Sequence, residues 1–184
     1  MRIISGYHKG KKLSFAEDNK IRPTTDRAKE TLFNLLSHHY PMHLKNTNVL
    51  DLFAGSGALG IECLSRGASF VLFVDNYIKS LQLLKHNLQK LTYKQFIDYD
   101  ILQGDSQKLK FNSYNKKFSI VFLDPPYDSN LITESITNLL KQDMWEKDCI
   151  FIIESNKDIF LNNLKLKHSK IIAHTNLKIY SIDN

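Results

Sequence analysis

At 184 residues the chain is long enough to bury a proper core in one domain, and 42% apolar with 24% charged residues is ordinary for a globular protein. No apolar run approaches the roughly 20 residues of a membrane span, and residues 1–6 lack a signal-peptide apolar stretch. The net charge of +6 leans towards a polyanionic partner.

The charge collects at the two ends. Arg2, Lys9, Lys11 and Lys12 lie in an opening stretch without an acid. Between residues 156 and 178, Lys157, Lys165, Lys167, Lys170 and Lys178 face Asp158 alone. This distribution fits a polyanion gripped from the edges, although charge alone fits a solvated surface equally well. Cys63 and Cys149 are isolated and show no metal-ligand spacing. Two lone thiols favour a reducing compartment, so the expectation is a cytoplasmic protein without a metal.

In chain order, residues 2–13 read as a short hairpin. Ile3, Ile4 and Leu13 are apolar and residues 6–10 turn the chain, which would place His8, Lys9, Lys11 and Lys12 at the tip. Pro23-Thr24-Thr25-Asp26 then opens a helix with the apolar stripe Ala28, Leu32, Leu35 and Leu36. From Val49 the pattern alternates. Strands are expected over 49–53, 70–74, 99–102, 118–123 and 149–153. Helices are expected over 58–66, 78–91 and 131–140, the first closed by Gly67. The second carries Leu81, Leu84, Leu88 and Leu91 on one face. Residues 109–117 read as a loop. Ile171-Ile172 and Ile179-Tyr180 read as an edge hairpin. The expected fold is α/β: a mostly parallel seven-stranded sheet with helices on both faces, preceded by a hairpin and helix. His38, His39 and His43 read as exposed, Trp145 as packing and Cys63 as a small buried residue.

Three motifs fall at carboxyl ends of strands, where such sheets bind ligands. Gly55-Ser56-Gly57-Ala58-Leu59-Gly60 follows a strand and opens a helix, so backbone can approach a nucleotide there. Asp75 ends the next strand, and a carboxylate at that place accepts the hydroxyls of a ribose. To this point the site suits a nicotinamide dinucleotide or S-adenosylmethionine (SAM). Asp51 favours SAM, because a carboxylate beside the glycine loop attracts an ammonium and repels a pyrophosphate. Gly104-Asp105 offers an acceptor to an adenine amino group. The third motif is Asp124-Pro125-Pro126-Tyr127. Neither proline has an amide hydrogen, so the loop is a stiff cluster of acceptors beside a ring. It suits a flat molecule bearing an NH2 group.

With these motifs in place, the chain resembles the Rossmann-like class I SAM-dependent methyltransferases that act on exocyclic amino groups. Within them it is most similar to the RsmD family of 16S rRNA (guanine(966)-N2)-methyltransferases. The likeness runs through Met1-Arg2-Ile3-Ile4-Ser5-Gly6, Lys9-Gly10-Lys11-Lys12-Leu13, Arg22 to Asn34, Asp51 to Glu62 and Phe122 to Tyr127. It departs at Asp75, where Glu is the usual residue, and in lysines where arginines are common.

The resemblance implies one domain, 1–184, made of a basic RNA-binding hairpin (1–20) and a SAM-binding catalytic core (21–184). It implies cofactor contacts from Asp51, Phe53, Ala54, Gly55, Ser56, Gly57, Gly60, Asp75, Asn76, Asp105 and Ser106. RNA contacts would come from Arg2, His8, Lys9, Lys11, Lys12 and Arg22, with Thr24 near the mouth of the site. Asp124 and the Pro125 carbonyl would hold the amine, Pro126 would stiffen the loop and Tyr127 would stack on a flipped-out guanine. The implied partner is small-subunit rRNA, within an assembling 30S particle, met by a monomer. Methylation of DNA adenine N6 or protein glutamine uses the same acceptor loop and is the nearest alternative. A nicotinamide-dependent oxidoreductase fits Asp51 poorly, and a non-enzymatic RNA-binding module has no need of Asp124.

Overall fold

The computed structural model describes residues 1–15, 25–41, 44–111, 114–125, 129–155, 159, 161, 163–172 and 175–183. The expectations for Arg22, Thr24, His43, Pro126 and Tyr127 lie outside these residues.

Among the described residues, four helices and seven strands follow one another as α1 (Asp26–His39), β1 (Asn48–Asp51), α2 (Ala58–Ser65), β2 (Phe70–Asp75), α3 (Ile78–Gln89), β3 (Tyr99–Gln103), β4 (Phe118–Leu123), α4 (Ser129–Lys141), β5 (Trp145–Glu154), β6 (Leu164–Ile172) and β7 (Thr175–Ile182). The strands form one sheet in the order β3-β2-β1-β4-β5-β7-β6. The first five run parallel, and β7 and β6 add the expected antiparallel hairpin at one edge. Among the described residues, no helix is long and apolar enough to cross a membrane.

The central strands are mostly apolar because both of their faces are covered. Along β1, Val49 packs towards α1, α2 and α3, while Leu50 packs towards α4. Strand order explains the sides. From β1 the chain steps one way to β2 and β3, then returns to the other flank of β1 for β4 and β5. Right-handed crossovers in opposite directions put their helices on opposite faces. The reversal leaves a crevice at the carboxyl ends of β1 and β4.

Thr25 caps α1, its Oγ1 accepting from Ala28 N at 3.2 Å. The buried face of this helix is Lys29, Leu32, Phe33 and Leu36, so the expected stripe turns slightly and takes in a lysine. The expected N-terminal hairpin reduces to one antiparallel bridge between Arg2 and Lys12, supported by bonds from Ile3 N to Lys11 O and Gly10 N to Ile3 O. It lies against the end of α2. Gly6 has φ of 82°, and a Cβ there would stand 1.7 Å from Ser65 O. No residue with a side chain fits this contact.

Candidate functional site

Four neighbouring strand ends make one rim. Asp51 in β1 pairs with Phe73 of β2 and Phe122 of β4, so Asp75 and Asp124 each lie two residues past it on either side. Asp75 pairs with Gln103 of β3, and Gly104 N donates to Asp75 O at 3.1 Å, which brings Asp105 onto the same rim. At about 4.8 Å per strand, the rim from Asp105 to Asp124 spans roughly 14 Å. The glycine loop sits in its middle.

Three of these acids have local work as well. Gly57, the N-cap of α2, has no side chain to accept from the first turn, and Asp51 Oδ2 takes Gly60 N at 3.1 Å instead. Asp75 Oδ2 accepts Gly55 N at 2.8 Å and Oδ1 accepts Tyr77 N at 2.8 Å. This carboxylate therefore ties the glycine loop to the second strand end. Asp105 Oδ1 accepts Gln107 N at 3.1 Å and starts the turn after β3.

The glycines are required by packing. Gly57 has φ of 82°, and a Cβ on it would lie 2.3 Å from Leu84 Cδ1. A Cβ on Gly60 would lie 2.3 Å from Phe73 Cε1, so this glycine lets α2 lie close on β2. Ala54 and Ser56 are buried and Phe53 is partly buried over the face that α4 covers. Asn76 is exposed beside Asp75. The Ser106 hydroxyl bonds Ser135 of α4 at 2.7 Å inside the molecule, rather than pointing at the rim. Asp124 and Pro125 are both partly buried.

Burial pushes the Asp51 carboxyl up to about 7, with the Gly60 hydrogen bond opposing and the charge of Asp75 adding. Burial also raises Asp75, against its backbone hydrogen bonds. The rim thus concentrates partly desolvated acids, which a cationic ligand relieves and an anionic one aggravates. One consequence is testable without any ligand. The folded protein holds a proton on Asp51 that the unfolded chain releases near its ordinary value of 3.8. Stability therefore falls as pH rises from about 4 to about 7 and levels off above. Urea denaturation across that range is expected to show the fall, and Asp51→Asn to flatten it. An unchanged pH profile in the variant would show that Asp51 is not the group responsible.

The basic residues divide. Arg2, Lys9, Lys11 and Lys12 are exposed. His8 is not on the surface of the tip as expected but 3% exposed, its ring edge-on to Tyr93 and its Nε2 3.2 Å from Thr92 Oγ1. Burial, then the charge of Lys11, lower its pKa, so it stays neutral. Outward contact with RNA is corrected to an internal anchor at this residue.

Two connections escaped the sequence reading. Asn87, fully buried in α3, donates to Ser14 O and Ser56 O and accepts Ser14 N, joining the exit of the N-terminal segment to the glycine loop. A polar residue set between Leu84 and Leu88 was the available signal. Glu62 of α2 is also fully buried. It accepts Ile4 N, Ser5 N and Arg66 Nε, and pairs with the buried Lys29 at 3.5 Å. Nothing local marked that pair, because its two halves are on different helices.

A family model described as Conserved hypothetical protein 95 matches residues 1–181. The chain belongs to this family. It is the RsmD family that the motifs resemble. Ribosomal RNA small subunit methyltransferase D of Buchnera aphidicola subsp. Acyrthosiphon pisum is 40% identical over 156 residues, 84% of this chain and 78% of the relative. The Escherichia coli K12 protein of that name is 32% identical over 192 residues, covering 98% and 89%. Among solved structures, Escherichia coli yhhF aligns with a TM-score of 0.81 at 29% identity, over 100% of this chain and 98% of its own. Haemophilus influenzae HI0767 aligns at 0.74 with 34% identity, over 97% and 96%. The fold is that of the class I methyltransferases, as expected.

Proposed function

We propose that the chain transfers a methyl group from SAM to the exocyclic N2 amino group of one guanine in small-subunit rRNA, the equivalent of guanine 966. The observation that carries this reading is the acid rim: Asp105, Asp75, Asp51 and Asp124 on adjacent strand ends around the glycine loop. The family's relatives, named for rRNA of the small subunit, support the choice of substrate.

The residues fit the cofactor. SAM carries two positive charges, and the buried, partly protonated Asp51 is the kind of group an ammonium stabilises in its ionised form. Asp75 would hold the ribose, with Asn76 beside it, and Asp105 the adenine, where Ser106 has only its backbone to offer because its hydroxyl is bonded to Ser135. Phe53, Ala54, Gly55, Ser56, Gly57 and Gly60 would form the wall between them. When bound, SAM supplies an electrophilic methyl group on a sulfonium.

The chain's own residues then act on the amine. A guanine N2 is a poor nucleophile because its lone pair is conjugated into the ring. Asp124 and the Pro125 carbonyl accept its two hydrogens and draw the nitrogen towards tetrahedral geometry. Positive charge growing on that nitrogen meets fixed negative charge and dipole, the reverse of an oxyanion hole. Loss of the methyl group would leave the neutral thioether S-adenosylhomocysteine, and the methylated nitrogen, now acidic, would give one proton to solvent without a dedicated base. Alignment of the amine with the donor lowers the barrier further. Pro126 stiffens the loop, and Tyr127 stacks on the flipped-out base. Arg2, Lys9, Lys11, Lys12 and Arg22 contact phosphates, so the hairpin and core act as one domain. With both thiols buried, the protein suits the reducing cytoplasm.

The test is transfer of label from SAM to unmethylated 30S subunits and to naked rRNA, with the modified nucleotide mapped. One guanine carrying an N2-methyl group is expected. Label on adenine, or on a protein glutamine, overturns the assignment.

A further inference from the structure

The basic N-terminal segment does not end at its own tip. Lys11 Nζ lies 3.5 Å from Lys90 O, and Lys90 Nζ donates to Ser14 Oγ at 2.7 Å. The buried His8 ring is edge-on to Tyr7 on one side and Tyr93 on the other, both with centroids at 5.0 Å. The N-terminal segment and the loop joining α3 to β3 are therefore one surface, with His8 as the pin between them. Lys9, Lys11, Lys12, Lys90 and Lys94 are all exposed on it. The nearest acid in the loop, Asp98, turns its Oδ2 back to Lys94 N at 2.8 Å.

Two large rings stand out from this basic field. Tyr7 is 82% exposed and Phe96 is 74% exposed. Phe96 also has φ of 64°, a left-handed conformation that costs an aromatic residue energy and that glycine or asparagine adopts readily. Its turn is closed by bonds from Phe96 N to Tyr99 O and Asp98 N to Lys94 O. The ring gains no burial in return. Solvation accounts for lysines here, but not for an apolar ring held outward on a strained backbone.

We infer that this surface is a stacking platform for unpaired bases of the RNA: Tyr7 and Phe96 take base faces while Lys90 and Lys94 extend the phosphate track begun by Lys9, Lys11 and Lys12. It rests on the proposed RNA substrate and adds to it a second contact region, outside the methyl-transfer rim. Exposed rings among lysines are the general means of holding single-stranded nucleic acid, because every base has a stacking face. His8 is edge-on to Tyr7 and to Tyr93, which opens the loop that carries Phe96.

The test is equilibrium binding of naked small-subunit rRNA and of unmethylated 30S subunits to Tyr7→Ala, Phe96→Asn, their double variant and Lys90→Ala/Lys94→Ala. Asparagine suits the left-handed turn and keeps the loop. Each ring substitution is expected to weaken binding of naked rRNA about tenfold. The double lysine variant should flatten the dependence of log affinity on log salt by about 1.4 to 1.8. SAM affinity should stay as in the parent and melting temperature should not fall, with Phe96→Asn relieving the strained turn. If the parent and a Lys9/Lys11/Lys12 triple alanine variant differ in rRNA affinity but the ring variants match the parent, the platform is refuted and the RNA substrate stands. If the ring variants lose affinity for 30S subunits alone, the surface meets a ribosomal protein and the inference falls. If the parent binds no rRNA, the proposed function fails and this inference with it.

Discussion

Replacing Asp124 by alanine is expected to slow methyl transfer about 100- to 1000-fold while leaving SAM affinity close to that of the parent. The size follows from analogy with removal of one preorganised oxyanion donor, which costs about 3–4 kcal/mol of transition-state stabilisation. The selectivity follows from position. Asp124 lies past the end of β4, two residues beyond Phe122, whose neighbour across the sheet is Asp51. It is thus on the far side of the crevice from the glycine loop and from Asp75, which would carry the cofactor. Asp124→Asn keeps the shape and one acceptor oxygen but loses the negative charge. It is expected to fall between the parent and Asp124→Ala. Single-turnover transfer at saturating SAM and RNA separates chemistry from binding. Turnover of Asp124→Ala within a few-fold of the parent would remove this residue from the chemistry.

The fold was legible where burial on both faces left its mark in the chain. Phe118–Leu123, apolar but for Ser119, is stopped by Lys117 and by Asp-Pro, and its bounds agree with the expected strand to the residue. Strand β5 was under-read. It begins at Trp145, but Glu146, Lys147 and Asp148 look like loop; they occupy the irregular stretch where pairing shifts from Phe118↔Trp145 to Ile120↔Ile150. The rim was legible because each acid ends an apolar strand, and strand order brings those ends together. What stayed hidden depends on partners distant in sequence. His8 looked like part of a basic tip, yet Thr92 and Tyr93 enclose it. Lys29 reads as a solvent-facing lysine until Glu62 is placed beside it.

That pair carries the second large effect. Glu62→Ala is expected to cost about 3–5 kcal/mol, the usual loss when one partner of a buried charge pair is removed. For a chain of this size the melting temperature should fall by roughly 10 °C. The Glu62 carboxylate accepts Ile4 N at 2.8 Å, Ser5 N at 3.0 Å and Arg66 Nε at 2.8 Å, and faces Lys29 Nζ at 3.5 Å. Lys29 also donates to Arg2 O, so the network fastens the N-terminal segment to both α1 and α2. Burial lowers the Lys29 pKa and Glu62 opposes that. Without Glu62 the opposition ends, and the folded state binds fewer protons at Lys29 than the unfolded chain does. The variant should therefore regain part of its stability as pH is raised above neutrality. Lys29→Met tests the same network from the other side and should cost less, because Arg66 and two backbone amides still hold the carboxylate and the methionine fills the space. Urea denaturation measures both variants, and hydrogen exchange at Ile4 and Ser5 reports whether the segment has loosened. A loss below about 1 kcal/mol in Glu62→Ala, with both amides still protected, would mean that the segment is held by Ile3, Leu13 and Gly6 packing instead.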